Sequence, residues 1–321
     1  MVKSVLVYIP CHKDFYSALS QVERLRDDFQ KYLDRSQGYF QRLHVVVSVN
    51  NFEPSLEDKL HAEGICDEVY YYGKALLADV NISEGFMVAL RQDHDIFWIL
   101  STNDVLIAGA LERVLAEFES DLTLDLVIAN LLERQGPHIE KDISKVSGLI
   151  SGVIYRTTNL IAYFNVAPFF PWTGWSHLSV IQSAMKGNHG LRVSTLPSKW
   201  LYTQTERDLL HNGYAYSHSF LGGLIQGFLF METGSQRRKF LRNFVRKNFF
   251  KSHLYNQRDA RRHQITNLVN PDHYLSWNKL IAESLIKSYT PFTYLFYLAS
   301  KRIPFEKGKD NRILRLIRER L

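Results

Sequence analysis

Cysteine is almost absent from this chain. Cys11 and Cys66 are the only two, and they share no metal-ligand or redox spacing. A disulfide scaffold is therefore excluded, and a reducing compartment is the simpler expectation. Glycine-rich phosphate loops are missing too. Neither Gly-x-Gly-x-x-Gly nor the P-loop pattern occurs, which argues against a dinucleotide oxidoreductase and a P-loop NTPase. No apolar run is long enough to span a bilayer; the best, Leu285 to Ala299, is short and interrupted by Lys287 and Pro291. The sequence has no internal repeat, no low-complexity tract and no recognised nucleic-acid motif. Its start, Met1 to Ile9, runs directly into a strand-like segment with no cleavable signal. These absences predict a cytoplasmic protein, at most peripheral at the inner face of the cell membrane, with no nucleic-acid partner.

What is present suits a folded chain. The 321 residues are 45% hydrophobic, enough for one large domain or a domain with an appendage. Aromatics reach 13%, which fits a thick core or a site that stacks flat ligands. The net charge of +6 conceals a division. Residues 1–150 carry 14 Lys+Arg against 24 Asp+Glu, a net of −10, and residues 151–321 carry 25 against 9, a net of +16. Such asymmetry predicts an anionic partner for the second half; of nucleic acid, anionic lipid and a phosphorylated substrate, the missing nucleic-acid motif disfavours the first.

Periodicity gives the architecture. Strand-like segments at Ser4–Ile9 (ended by Pro10), Leu43–Val49, Glu68–Tyr72, Asp95–Leu100 and Leu124–Ala129 alternate with helical patterns. The helices fall at Phe15–Leu33, Pro54–Glu63, Ser83–Leu90 and Ile107–Phe118. This alternation predicts βαβ units, an α/β fold with a parallel sheet and helices on both faces. Ligands in such sheets bind at the carboxyl ends of the strands. Those ends are Pro10-Cys11-His12, Asn50-Asn51, Gly73-Lys74 and Ser101-Thr102-Asn103-Asp104, all polar or permissive. The last of these also reads as a helix N-cap, since Ser, Thr, Asn and Asp cap helices.

The second half is less regular. A glycine-containing strand at Ser147–Tyr155 precedes an aromatic loop, Pro168 to His177, then a helix near Leu178–Met185 and a strand at Leu191–Thr195. From about residue 205 the pattern is helical. The expected division is a domain at 1–204 and a helical, basic region at 205–321. Arg237–Lys251 holds seven cations and no acid around Phe240, Leu241, Phe244 and Val245; Ile313 to Leu321 repeats the pattern beside Arg312, Arg315 and Arg318. Basic amphipathic helices of this kind lie on anionic membranes, unless the stripes pack on the sheet domain.

Four segments carry a family resemblance: Val7-Tyr8-Ile9-Pro10-Cys11-His12, Val45–Asn51, Asn81-x-x-x-Gly85 with Ala89, and Phe97–Asp104. In this order they resemble the nucleotide-binding half of GT-A fold glycosyltransferases, above all the family 2-like group of bacterial surface polysaccharide synthesis. The resemblance covers roughly residues 3–200. It implies a GT-A mostly parallel sheet flanked by helices. The activity it implies is inverting transfer of a sugar from a nucleotide-sugar donor to a glycan or lipid-linked acceptor. In its terms Pro10, Cys11 and His12 line the nucleoside pocket and Asn50 contacts the base. Lys74, Asn81, Ser101 and Asn103 belong to the donor site, and Asp104 sits at the ribose, diphosphate or metal as a catalytic carboxylate.

The family's two Asp-x-Asp carboxylates fall on Ser101 and Asn103, and its acidic pair after strand two becomes Asn50-Asn51. A divalent cation, Mn2+ or Mg2+, bridges a diphosphate through hard anionic oxygens. With Asp104 as the one carboxylate, metal binding is expected to be weakened or dispensed with. Cationic side chains such as Lys74 or Arg156 are then candidates to stabilise the leaving group. The family's catalytic base stands at the start of the helix after the acceptor loop, where this chain has His177, able to deprotonate a hydroxyl near neutral pH. Asp104, Glu206, Asp208 and His218 compete for that role. Trp172 and Trp175 either stack on an acceptor sugar or are core aromatics. The rival reading is a non-catalytic GT-A-like protein that binds a glycan or partner. A sugar nucleotidyltransferase is disfavoured, because Cys11-His12-Lys13-Asp14 has no glycine.

Overall fold

Lys3–His12 forms β1, whose residues from Val5 to Ile9 are fully buried on both faces, as a central parallel strand requires. A computed structural model describes residues 2–12, 15–35, 38–50, 53–72, 78–102, 104–130, 150–169, 176–187, 190–197, 201–204, 224–225, 227–243 and 271–300. After β1 the chain continues through α1 (Phe15–Arg35), β2 (Phe40–Asn50), α2 (Leu56–Ile65), β3 (Glu68–Tyr72), α3 (Ala78–Arg91) and β4 (Ile96–Ile99). It goes on through β5 (Asp104–Leu106), α4 (Ala110–Ser120), β6 (Leu126–Asn130), a 3-10 turn at Ile150–Gly152, β7 (Val153–Arg156) and α5 (Thr157–Phe164). Then follow α6 (Ser176–Lys186), β8 (Val193–Pro197), β9 (Tyr202–Gln204), α7 (Pro271–Tyr289) and α8 (Pro291–Ser300).

Among the described residues, seven strands form one sheet in the order β3-β2-β1-β4-β7-β6-β8, and β5 pairs with β9 in a small second sheet. β3, β2, β1 and β4 run parallel, while β7 is antiparallel to both β4 and β6. The α/β, mostly parallel architecture is the one the sequence predicts. Strand β1 does not end at Pro10. Ser4 and Tyr8 carbonyls accept from Asp95 and Leu100 on the β4 side, so by alternation the Pro10 nitrogen faces that side too. The strand pairing of β4 has already stopped at Ile99, opposite Tyr8, and the missing N–H of proline costs no ladder bond.

One face of the sheet packs Val5, Val7, Ile9 and Cys11 against Phe15, Val22 and Leu25 of α1 and Leu111 and Val114 of α4. The other carries an aromatic cluster in which the rings of Phe86, Phe97, Tyr155 and Phe164 lie 5.2–6.0 Å apart. Helix α2 begins at Leu56, because Ser55 and Asp58 form a reciprocal capping box. Both cysteines are buried thiols outside any disulfide, and burial pushes the Cys66 thiol up to about 12.

The chain divides into two compact units: Met1–Pro171 with Ser176–Arg207, and Trp172–Trp175 with Asp208–Leu321. In the second unit Phe228 stacks edge-on to Tyr289 at 4.9 Å, and Leu224, Ile225, Leu241, Ala282 and Ile286 are buried. No helix among the described residues is long and apolar enough to cross a membrane. Of the two basic stripes, 237–243 is described as helix; 244–251 and 312–321 lie outside the described residues.

Candidate functional site

Three neighbouring strands end level. His12 of β1 pairs with Asn50 of β2, which pairs with Tyr72 of β3. On the other side of β1 the chain leaves β4 through Leu100, whose N–H donates to the Tyr8 carbonyl at 2.9 Å. Strands are spaced about 4.8 Å apart, so the ends of β1, β2 and β3 form one continuous edge.

Ser101–Asp104 closes as a turn, with Asp104 N–H donating to the Ser101 carbonyl at 3.1 Å. It is not a helix cap. The chain runs on into β5, opposite Gln204, and α4 starts only after Gly109, which takes the left-handed conformation at φ 76°.

Two sets of side chains hold this turn. From α1, Gln21 Nε2 donates to the carbonyls of Ser101 at 3.1 Å and Asp104 at 3.0 Å. Further along, Arg24 donates to the Leu106 carbonyl, and Asp28 Oδ1 accepts from Gly109 N–H at 2.8 Å. Residues 21, 24 and 28 fall on one stripe of a 3.6-residue helix, so α1 holds Ser101, Asp104, Leu106 and Gly109. From the 3-10 turn, Ser151 Oγ accepts from Ser101 N–H at 2.8 Å and donates to Asp104 Oδ2 at 2.6 Å. Ser151 is itself fixed, since its carbonyl accepts from Trp98 Nε1 at 2.9 Å.

The Asp104 carboxylate therefore braces the turn from within. Asp104 is 1% exposed and Thr102 is buried, whereas Ser101 is half-buried at the surface of the turn. Among the described residues, this turn does not offer the several converging hard oxygens that a divalent cation bridging a diphosphate needs. Here the one carboxylate is enclosed and bonded to Ser151. Among the described residues, no group of three or more His, Cys, Asp or Glu side chains could hold a metal ion.

The remaining candidates are distributed as follows. Pro10 and Asn50 share the sheet face of Tyr8 and Ser48 by strand alternation; Asn50 is 1% exposed and Pro10 is half-buried. Cys11 points to the opposite face, into the α1 core. His12 closes β1. Asn81 lies beneath the edge in α3, where its Oδ1 accepts from Tyr8 Oη at 2.7 Å and Ser48 Oγ at 2.6 Å. One turn later Gly85 lies against the Tyr8 ring; a Cβ there would stand 2.6 Å from Tyr8 Cδ1. Asn81-x-x-x-Gly85 is thus a docking motif for the Tyr8 side chain, and burial pushes the Tyr8 phenol well above its ordinary value.

His177 is the second residue of α6 and is buried, and its carbonyl accepts from Tyr155 Oη at 3.2 Å. Arg156 lies at the other edge of the sheet, opposite Ile96. Its guanidinium donates to the carbonyls of Leu124 and Phe118, both at 2.8 Å, and burial lowers its pKa. It is therefore not available to a leaving group at the carboxyl edge. Lys74, Asn103, Trp172, Trp175, Glu206, Asp208 and His218 lie outside the described residues. Sequence reasoning missed Gln21, Arg24, Asp28 and Ser151. The available signal was the spacing of the three α1 residues, polar positions running beside an apolar stripe.

No family model matches the sequence, and no curated protein matches it. Solved structures do. Residues 1–349 of S. aureus TarS in complex with UDP-GlcNAc match with a TM-score of 0.53 at 13% identity, over 94% of this chain and 88% of that one. A longer S. aureus TarS structure matches with a TM-score of 0.51 at 12% identity, over 97% of this chain and 57% of that one. A mannosyltransferase from Pyrobaculum calidifontis, in complex with GDP-Man and Mn2+, gives a TM-score of 0.48 at 12% identity over 94% of this chain and 86% of that one. The fold is the GT-A glycosyltransferase fold, as the sequence predicts.

Proposed function

We propose that the protein is a glycosyltransferase that moves a sugar from a nucleotide-sugar donor to a glycan or lipid-linked acceptor, in the synthesis of bacterial surface polysaccharide. The observation that carries this reading is the carboxyl edge of a GT-A sheet, where β1 and β2 end at the paired His12 and Asn50 and the chain leaving β4 forms the braced Ser101–Asp104 turn. The complex of S. aureus TarS with UDP-GlcNAc supports a nucleotide-sugar ligand at low identity. Pro10, His12 and Asn50 are proposed to line the nucleoside pocket, with Ser101 and Asn103 facing the diphosphate. Asp104, Gln21 and Ser151 act as positioning residues that fix the turn. Lys74 is the proposed cation beside the leaving group, and Trp172 and Trp175 are proposed to stack on the acceptor.

The chemistry is a single displacement. An acceptor hydroxyl oxygen attacks the anomeric carbon and its proton passes to His177. The bond from that carbon to the diphosphate oxygen breaks, the electron pair leaves with the nucleoside diphosphate, and the configuration inverts. The acceptor is proposed to reside at the inner face of the cell membrane, where the basic second half of the chain suits an anionic surface.

A thermal-shift screen against UDP, GDP, CMP and dTDP sugars, with and without Mn2+ or Mg2+, tests the donor site. Ligand that binds the native state raises the melting temperature, and a shift with one nucleotide class is expected. No shift with any donor would sink the reading. The enclosure of the Asp104 carboxylate favours one alternative, a non-catalytic protein that keeps the fold and only binds. Donor binding without release of free nucleotide in the presence of acceptor extracts would favour it.

A further inference from the structure

Helix α8, Pro291–Ser300, contains no charged residue. Three of its large apolar side chains are exposed: Phe292 at 78%, Leu295 at 61% and Leu298 at 37%. Steps of three residues keep them on one side of a helix, while Thr293 turns inward. On the preceding helix α7, Leu280 and Ile281 are exposed as well. Single exposed hydrophobics are ordinary, but a contiguous apolar face calls for a partner.

The surroundings say which partner. From Ser284 to Phe305 the sequence holds Lys287, Lys301 and Arg302 and no carboxylate. Arg237 lies 5.0 Å over the Phe228 ring, and that ring lies 4.9 Å from Tyr289 at the α7–α8 elbow. The helical segment 234–243, with exposed Arg238, Lys239 and Arg242, is thereby tied to the elbow. Exposed apolar side chains on a stretch of sequence whose only charges are cations match the boundary of an anionic bilayer, where aromatic and aliphatic groups enter the acyl region and cations meet the headgroups. A ten-residue helix is only about 15 Å long, half the hydrocarbon thickness of about 30 Å, so it would lie in the interface and not span it.

We infer that α8 is the element through which the protein docks on an anionic lipid surface, with Phe292, Leu295 and Leu298 seated at the headgroup boundary. This deepens the membrane part of the proposed function and is independent of catalysis.

The test is sedimentation of the full chain with phosphatidylcholine vesicles doped with phosphatidylglycerol, against phosphatidylcholine alone. Binding to the doped vesicles is expected, and the pair Phe292→Ser and Leu295→Ser should lower the partition coefficient about tenfold or more. The matched pair Leu56→Ser and Leu60→Ser, at exposed positions of α2, should leave it unchanged. Full binding by the Phe292/Leu295 pair overturns the proposal, as does light scattering showing that this pair dissolves a dimer without affecting vesicle binding. Should that pair fail to fold, Leu295→Cys carrying an environment-sensitive dye replaces it; the buried Cys11 and Cys66 are shielded from the label. A blue shift on doped vesicles is expected, and an unshifted spectrum overturns the proposal. Because no donor is added, failure here leaves the nucleotide-sugar reading standing, and failure of the donor screen leaves this result standing.

Discussion

At the carboxyl edge of the sheet, Gln21, Ser151 and Asp104 converge on a single four-residue turn. At the amino edge, a chain of side chains instead crosses three strands. Ser4 of β1 meets His94 at 3.1 Å, His94 meets Gln92 at 3.0 Å, Gln92 donates to Glu68 of β3 at 2.7 Å, and Glu68 meets His44 of β2 at 3.1 Å. Both networks immobilise loops, but their titration differs. The amino edge holds His94 and Glu68, whose charge is coupled to folding. The strand ends Pro10–His12, Asn50 and Ser101–Asp104 carry one carboxylate, Asp104, and it is turned inward. Among the described residues, the carboxyl edge thus spends its carboxylate on bracing a turn, while the opposite edge uses ionisable groups to link strands.

Asp104→Ala would break the comparison most severely. It leaves Ser151 Oγ without its acceptor and opens space beneath the turn. The expected cost is about 3–4 kcal/mol in urea unfolding. Asp104→Asn keeps an oxygen for Ser151 and should cost about 1 kcal/mol. If the two variants unfold alike, the carboxylate is not a brace. Next in size is an acid effect at the other edge. Burial, and the neighbouring His44 and Arg42, lower the His94 pKa from 6.5 to about 4, against the opposing pull of Asp93 and Asp95. Between those two values the unfolded chain takes up a proton that the folded chain refuses. Stability due to neutral His94 is therefore fully present above pH 6.5 and declines as pH falls toward 4, by up to about 3 kcal/mol. For Glu68, burial raises the pKa, but hydrogen bonds and charge from Tyr70, His44 and Gln92 outweigh it and leave it below the ordinary carboxylate value. His94→Phe should flatten the stability curve between pH 6.5 and 4 while leaving the fall below that window. An unchanged slope would remove His94 as its source.

The two edges also differ in how far the sequence disclosed them. Strands β1 to β4 and the helices between them follow from apolar periodicity, because burial on a sheet face or a helix stripe leaves a pattern of period 2 or 3.6. The positions of Pro10, Asn50 and Ser101 at one edge follow from that pattern alone. The direction of a polar side chain does not. Asp104 could face ligand or interior, and its inward turn depends on Ser151, 47 residues away. Strand β7 was harder to read, since its residues Val153–Arg156 look alike in either sense, and only the sheet shows it antiparallel. Helix α5 escaped notice because its eight residues, Thr157–Phe164, fall between a strand and an aromatic loop. Asn81 and Gly85 carry the family resemblance, yet the reason for their spacing is the Tyr8 side chain on a different element. Non-local partners of this kind leave no mark on a single stretch of sequence.

The smallest expected effect separates the amino edge into a buried and an exposed part. Asp95 accepts at Oδ1 from Lys3 Nζ at 2.5 Å and at Oδ2 from Ser4 N–H at 2.9 Å. The hydrogen bond to Asp95 raises the Lys3 pKa, but the Lys3 side chain is 35% exposed against 12% for Asp95. Water and salt screen the exposed ammonium, and ordering its long side chain costs entropy, so Lys3→Met should destabilise by only about 0.5 kcal/mol. The carboxylate remains satisfied by the Ser4 amide, which keeps the loop before β4 in place. The difference between Lys3→Met and the parent chain in thermal unfolding should shrink as salt is added. A loss several times larger that persists at high salt would mean that the ion pair, and not the backbone hydrogen bond, secures this corner of the sheet.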